Sequence, residues 1–222
     1  MRVLMIGASG VGKGTQALKL AKYFNIEHVS TGDLLREEVK YNSALSRAVG
    51  KLIDRGYLLP DELMLSIAEE IIEKDNIILD GFPRTIFQAR ALDNMCNELN
   101  SPIDIAVHIH IPDDIILERV TGRYVCEGCG RMYHISYYQP KQQGVCDDCN
   151  SRLIQRVDDT DSTVRNRLRI YHEQTEPIIN HYYKQGLLVS VSGLGDVDEV
   201  FEVILSLMNK RLEANRKDVD NN

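Results

Sequence analysis

Gly7-Ala8-Ser9-Gly10-Val11-Gly12-Lys13-Gly14-Thr15 follows the short apolar run Arg2–Ile6 and leads into apolar residues at helical spacing, Ala17, Leu20, Ala21 and Phe24. A strand that runs into glycines and then into a helix is the setting of a phosphate-binding loop. Glycines let the backbone curl until several N–H groups point at one anion. The helix N-terminus adds partial positive charge, and Lys13 can reach the β- and γ-phosphates. Gly10, Val11, Gly12, Lys13, Gly14 and Thr15 are therefore candidate contacts to ATP. A plain strand-to-helix turn is the bland alternative, and a lysine in this register argues against it. Most such loops place Ser or Thr directly after the lysine, where the hydroxyl holds Mg²⁺. Here Gly14 takes that place and Thr15 the next, so magnesium must lean on phosphate oxygens and water. That departure points away from a switch-type GTPase and towards a kinase of small phosphorylated acceptors.

Outward from this loop, strand-like segments (Arg2–Ile6, Glu27–Val29, Ile77–Leu79, Ile105–Ile111, Leu187–Val191) alternate with longer stretches of helical spacing. Such alternation predicts an α/β fold, a parallel sheet with helices on both faces. Two stretches break it: 31–59, helical with no strand, and 122–158, rich in Cys, Gly, Tyr and Gln. Both read as insertions over the C-terminal edge of the sheet, where ligands bind in such folds. The polar end from Glu213 is expected to fray. The 222 residues, 43% hydrophobic and 27% charged, fit one globular core with insertions. No apolar run approaches the roughly 18 residues of a membrane span, and Val3–Ile6 is too short for a signal peptide. A net charge of −7 makes the surface a poor general attractor of nucleic acid or anionic lipid. An anionic substrate then needs a local arginine cluster. The expectation is a soluble cytoplasmic enzyme, monomeric, with no nucleic-acid or membrane partner.

Asp80 closes the apolar strand Ile77–Leu79, and a carboxylate there can meet magnesium through water, or serve as a turn or cap residue. Asp33 sits where helix capping is natural. Cys126-x-x-Cys129 and Cys146-x-x-Cys149 are separated by 16 residues, the spacing of a zinc ribbon in which two tight turns each offer two thiolates. A site closed by four thiolates has no open position, so its role would be structural. Rubredoxin-like iron uses similar ligands and stays open as an alternative. A redox dithiol would want one pair beside a thioredoxin-like unit. A nucleic-acid ribbon is disfavoured, because 122–158 holds five Lys/Arg against four Asp/Glu. Cys96 falls among Leu92, Met95 and Leu99 as a packed small hydrophobe. His108 and His110 read as face alternation along a strand, His134 as structural, and Arg165 and Arg169 as surface charges.

Gly12-Lys13-Gly14-Thr15-Gln16, Ser30-Thr31-Gly32-Asp33-Leu34-Leu35-Arg36, Leu79-Asp80-Gly81-Phe82-Pro83-Arg84-Thr85 with Gln88, Arg119-x-x-x-Arg123, Arg156 with Asp158 and Asp159, and Arg165-x-Arg167 together resemble adenylate kinase. The motifs run in family order from residue 1 to about 205, and the 122–158 insertion resembles the zinc-bearing lid of the long bacterial form. The resemblance implies a P-loop nucleoside monophosphate kinase fold and the reaction MgATP + AMP ⇌ 2 ADP. It implies a core of 1–29, 60–121 and 159–214, an AMP-binding insertion 30–59, a lid 122–158 and a tail 215–222. Arg36 and Arg84 would clamp the AMP phosphate. Arg123, Arg156 and Arg167 would surround the β- and γ-phosphates and the transferring group, the last two also meeting AMP. Arg119, Met132 and Tyr133 would lie over the ATP base, with a backbone carbonyl near Gly195 meeting it. Thr31, Tyr57, Leu58, Leu59, Gly81, Phe82, Pro83 and Gln88 would form the rest of the AMP site. Lys13, Arg84, Arg123, Arg156 and Arg167 would be catalytic, with zinc on Cys126, Cys129, Cys146 and Cys149, and magnesium near Asp80. Ser9, where the family often has proline, and Ser192-Gly193-Leu194-Gly195 depart from the pattern without touching this chemistry. A pyrimidine monophosphate kinase shares most of these motifs and is the alternative; a non-catalytic nucleotide sensor would not need arginines for both substrates.

Overall fold

The computed structural model describes residues 1–40 and 44–220. β1 (Arg2–Ile6) is buried along its whole length, as a strand covered on both faces must be. It sits at the centre of a five-stranded sheet with β2 (Glu27–Ser30), β3 (Ile77–Asp80), β4 (Ile105–His110) and β8 (Leu188–Ser192), in the order β2-β3-β1-β4-β8. All neighbouring pairs are parallel, with Met5 opposite both Asp80 and Val107 and Ser30 opposite Asp80. The C-terminal ends of these strands therefore share one edge, where the phosphate loop leaves β1.

Side chains alternate across the sheet at the period of two that a strand requires. Val3 and Met5 pack with Val107, Ile109, Leu20, Ile204 and Met208, under α1 (Lys13–Phe24) and α9 (Val197–Asp220). Leu4 and Ile6 pack on the opposite face with Met64, Ala68, Leu92, Ile178 and Tyr182, under α4 (Asp61–Ile72), α5 (Ile86–Glu98) and α8 (Pro177–Lys184). Between β2 and α4, α2 (Thr31–Lys40) and α3 (Ala44–Asp54) form a helical flap whose Leu35, Val39, Leu52 and Ile53 lean on that second core. After α6 (Asp113–Thr121) comes a small antiparallel sheet, β6 (Met132–His134), β5 (Arg123–Cys126) and β7 (Leu153–Ile154), whose own buried cluster is only Cys126, Tyr133, Cys146 and Leu153. That is a small apolar core for a segment of this length. The chain returns through α7 (Asp161–Ile170), capped by the Thr160 hydroxyl accepting from Thr163 N, and one π-helical turn (Tyr171–Thr175).

Strand boundaries differ from the sequence expectations by one residue at Ser30, Asp80, His110 and Leu188–Ser192. Over the polar end, α9 is helical through Asp220, where Arg211, Leu212, Glu213 and Ala214 are good helix formers. Residues 41–43 of the flap and 221–222 of the tail lie outside the described residues. Phe82 is 1% exposed in the core cluster with Leu79, Leu92 and Ile178 and is not among the residues that line the cleft. Cys96 is a 1%-exposed core residue. No helix among the described residues is long and apolar enough to cross a membrane.

Candidate active site

The strand edge opens into a cleft of about 1370 Å³ lined by the phosphate loop, both insertions and the C-terminal part of the core. Gly10 and Gly12 have φ of 97° and 103°, the left-handed region that lets the loop turn its amides inward. A Cβ on Gly10 would lie 2.3 Å from Val120 Cγ2, so the loop is seated tightly against α6. Gly12 precedes α1 with no side-chain cap, leaving the helix N-terminal amides available to an anion. Lys13 Nζ donates to the Ala8 carbonyl at 2.9 Å within the loop. Burial pushes its pKa down to about 8, with Arg84 and Arg123 adding to the effect and Asp80 opposing it.

Asp80, at the end of β3, lies across from the loop. Burial alone would raise its pKa, but His28, Lys13 and Arg84 outweigh burial and hold the carboxyl below its ordinary value. His28 Nε2 stands 3.6 Å from Asp80 Oδ2, an ion-pair distance rather than a hydrogen bond. Sequence reading gave His28 no role. Its only signal is register: two residues before Ser30, it shares a face with the end of the neighbouring strand.

Every candidate arginine faces this cleft. Arg123, at the root of β5, forms a two-pronged pair with Asp159, its Nε donating at 2.8 Å. Arg167 on α7 pairs with Asp158. Both carboxylates are nearly inaccessible, at 2% and 3% exposure, so they fix the guanidinium planes from behind. Arg84 Nε donates to the Gly81 carbonyl at 2.7 Å, and burial lowers its pKa with Arg167 and Arg36 contributing. Arg156 has a pKa brought down to about 10 by burial and by the neighbouring Arg36 and Arg123. Asp33 is not the cap that its position implies. Ser30 Oγ accepts from Asp33 N at 3.3 Å, and the Asp33 carboxylate binds Arg36 at 2.6 Å and reaches Arg156 at 3.8 Å. One carboxylate thus touches an arginine of the flap and one of the lid. Arg165 and Arg169 pair on the surface with Asp161 and Glu173, as surface charges do.

At the flap end, Thr31 is 1% exposed with its hydroxyl donating to the Asp80 carbonyl at 3.3 Å. Tyr57, Leu58, Leu59, Gly81, Pro83 and Gln88 border the same end. Gln88 is engaged on both sides: Oε1 accepts from Arg84 N at 2.7 Å and Nε2 donates to Asp61 Oδ1 at 2.7 Å. Asp61 was not singled out from the sequence, because 27 residues separate it from Gln88. At the other end, Arg119 Nη1 donates to the Gly193 carbonyl at 3.0 Å, beside Gly195. Met132 borders the cleft. Tyr133 also borders it, but is 3% exposed with its hydroxyl set in the second cysteine turn, accepting from Asp147 N at 2.8 Å. Its hydroxyl contacts are therefore within the second cysteine turn.

The four cysteine sulfurs lie within 4.8 Å of one another. Cys126 and Cys149 Sγ are 3.3 Å apart, Cys129 and Cys146 Sγ 3.6 Å. A tetrahedral Zn–S₄ centre with bonds of about 2.3 Å needs sulfurs roughly 3.8 Å apart. The two turns share one backbone design: Gly130 N donates to Cys126 O and Asn150 N to Cys146 O, each at 3.0 Å, with Gly130 and Asn150 both left-handed. Cys126 N and Cys146 N each close the turn on a carbonyl at 2.9 Å. The donor set and its geometry fit a tetrahedral metal. His134 stands apart from it, its Nδ1 accepting from Ser136 N and Tyr137 N.

The chain is similar in sequence to known proteins. Residues 5–187 match the family model described as adenylate kinase. An adenylate kinase of Acetivibrio thermocellus is 46% identical over 213 residues, covering 94% of this chain and 98% of that protein. The adenylate kinase of Thermodesulfovibrio yellowstonii is 44% identical over 215 residues, 95% of this chain and all of that protein. The adenylate kinase of Caldicellulosiruptor bescii is 44% identical over 212 residues, with 94% and 99% covered. With its parallel sheet and phosphate loop, the chain is an α/β P-loop kinase, and it belongs to the adenylate kinase family.

Proposed function

We propose that this chain transfers a phosphoryl group reversibly from MgATP to AMP, giving two ADP, by in-line transfer between arginine clamps after its lid closes. The observation that carries this reading is the convergence of Lys13, Arg36, Arg84, Arg123, Arg156 and Arg167 on one cleft. The acceptor phosphate is already ionised near neutral pH, so no general base is required. Catalysis reduces to alignment and to neutralising charge on the transferring group. Lys13 and the loop amides hold the donor phosphates, while Arg36 and Arg84 hold the acceptor. Arg123, Arg156 and Arg167 cover the group between them, and closing the lid excludes the water that would compete as acceptor. Thr31, Gln88 and the Tyr57–Leu59 backbone select the acceptor base. Arg119 and the Gly193–Gly195 strip take the donor base. Asp80 would hold the Mg²⁺ that arrives with ATP through water, and that ion would supply charge neutralisation to the phosphates. A zinc ion on Cys126, Cys129, Cys146 and Cys149 would stabilise the lid. The 30–59 flap, the 122–158 lid and the rest as core are the moving parts, in a monomeric cytoplasmic protein whose partners are ATP, AMP and ADP.

The test is ADP formation from ATP and Mg²⁺ with AMP, CMP, UMP or GMP as acceptor. AMP should be preferred strongly, and Gln88→Ala should raise the AMP KM about tenfold or more with a smaller change in kcat. The substitution removes the amide proposed to meet the base, with its bonds to Arg84 N and Asp61, and leaves every arginine side chain in place. Preference for a pyrimidine nucleotide would overturn the acceptor assignment.

The charge on Lys13 gives a pH test. Its folded pKa of about 8 lies below the free lysine value, so the free enzyme loses the ammonium as pH rises through about 8. Phosphates favour the charged form and raise that pKa. ATP binding should therefore take up protons near pH 8 and weaken above it. Calorimetry in buffers of different ionisation enthalpy would show this, and absence of proton uptake would contradict it.

Metal analysis should find about one zinc per chain. Chelation should melt the lid first, since structural zinc contributes on the order of 10 kcal/mol in small metal-bound folds. A metal-free protein with an unaltered melting curve would contradict the structural role.

A further inference from the structure

We propose that Asp61 is a positioning residue that sets base specificity at the acceptor site, by fixing which way the Gln88 amide points. This inference rests on the AMP reading of the flap end of the cleft.

Gln88 is 1% exposed, so its amide has few ways to satisfy itself. The backbone N–H of Arg84 donates to Oε1 at 2.7 Å. On the other side Nε2 donates to Asp61 Oδ1 at 2.7 Å. An ionised carboxylate accepts only, so the group facing Asp61 must be the NH₂. Turning the amide over would set oxygen against carboxylate and N–H against N–H. The same Asp61 Oδ1 accepts from the Thr85 hydroxyl at 3.1 Å, and Thr85 Oγ1 in turn accepts from Gln88 N at 3.1 Å as the cap of α5. Side chain and backbone of Gln88 are thus referred to one oxygen atom at the start of α4, directly after the Tyr57–Leu59 strip. A purely stabilising acceptor could have bonded Thr85 alone.

The consequence is a fixed polarity. After these bonds Gln88 keeps one free acceptor site on Oε1 and one free N–H. Adenine offers an amino donor beside a ring-nitrogen acceptor, whereas guanine offers a carbonyl acceptor beside a ring N–H donor. An amide held in one sense matches the first pattern and opposes the second. A freely turning amide could match either. Asp61 therefore discriminates against 6-oxopurine nucleotides without touching the base.

The test compares kcat/KM for AMP and GMP in the full-length, metal-loaded enzyme. Asp61→Ala removes the acceptor. Asp61→Ser keeps a helix-starting residue whose hydroxyl both donates and accepts, and so imposes no polarity. Asp61→Asn keeps a carbonyl acceptor, and the Thr85 hydroxyl, which accepts from Gln88 N and donates to position 61, holds that oxygen inward and the amide in one sense, so it is the rescue. The AMP-to-GMP ratio should shrink about tenfold in Asp61→Ala and Asp61→Ser, one charge-assisted hydrogen bond's worth, and stay within about threefold of the parent in Asp61→Asn. Loss of fold alone would depress both substrates together and leave the ratio unmoved. An unchanged ratio in whichever of Asp61→Ala and Asp61→Ser folds overturns the proposal, as does equal loss in Asp61→Asn. If the parent enzyme does not prefer AMP, the acceptor reading fails first and this inference falls with it. A parent that prefers AMP, with a ratio that responds to Gln88→Ala but not to Asp61, rejects the role of Asp61 alone.

Discussion

Like charges crowded into one partly dry cleft are the constraint to which the rest of this molecule responds. Lys13, Arg36, Arg84, Arg123, Arg156 and Arg167 line a single cavity in a chain whose overall charge is −7. Their mutual repulsion and burial show in Lys13, brought down to about 8, and Arg156, brought down to about 10. Carboxylates offset part of this: Asp80 beside Lys13, Asp158 behind Arg167, Asp159 behind Arg123, and Asp33 shared by Arg36 and Arg156. Cations still outnumber these anions, and phosphate groups are the natural complement. In the proposed reaction, guanidiniums held from behind by buried carboxylates would need little reorganisation to meet phosphate, the electrostatic preorganisation that phosphoryl transfer uses.

The fold supplies the places where such charges can be held. A fully buried central strand fixes the phosphate loop at the middle of the sheet edge, and parallel register brings Asp80 level with it. The lid carries its arginines close to its attachment points, Arg123 at the start of β5 and Arg156 just beyond β7, each next to the carboxylates that precede α7. The tip beyond them has a core of four buried side chains, two of them cysteines. A metal at the paired turns would be an economical way to keep so small a unit folded.

Much of this was legible in the sequence because the signals are local. Gly7–Thr15 is read from adjacent residues, and so is each cysteine turn. The five core strands follow from short apolar runs, with boundaries displaced by a single residue where Ser30, Asp80 and Ser192 extend them. The Gly81-Phe82-Pro83-Arg84 motif reads as one unit in sequence, whereas Phe82 is buried in the core while Gly81, Pro83 and Arg84 line the cleft. Asp33 was read by its place at a helix start, and its two arginine partners come from different insertions. Asp61 and His28 have no sequence signal of their own, since each acquires meaning only when α4 meets α5 or β2 lies against β3. The π-helical turn at Tyr171–Thr175 has no periodicity to announce it.

If the arginine cluster is held against its own repulsion for the sake of phosphate, removing one of its charges should stabilise the free protein and damage the reaction together. The direct measurement is the melting temperature of ligand-free Arg156→Met beside its kcat for ADP formation from ATP and AMP. The expected result is a melting temperature higher by about 2–4 °C and a kcat lower by about a hundredfold or more. A melting temperature that falls, or a kcat that stays within a factor of about two, would contradict the view that this cleft is an electrostatic trap for the transferring phosphoryl group.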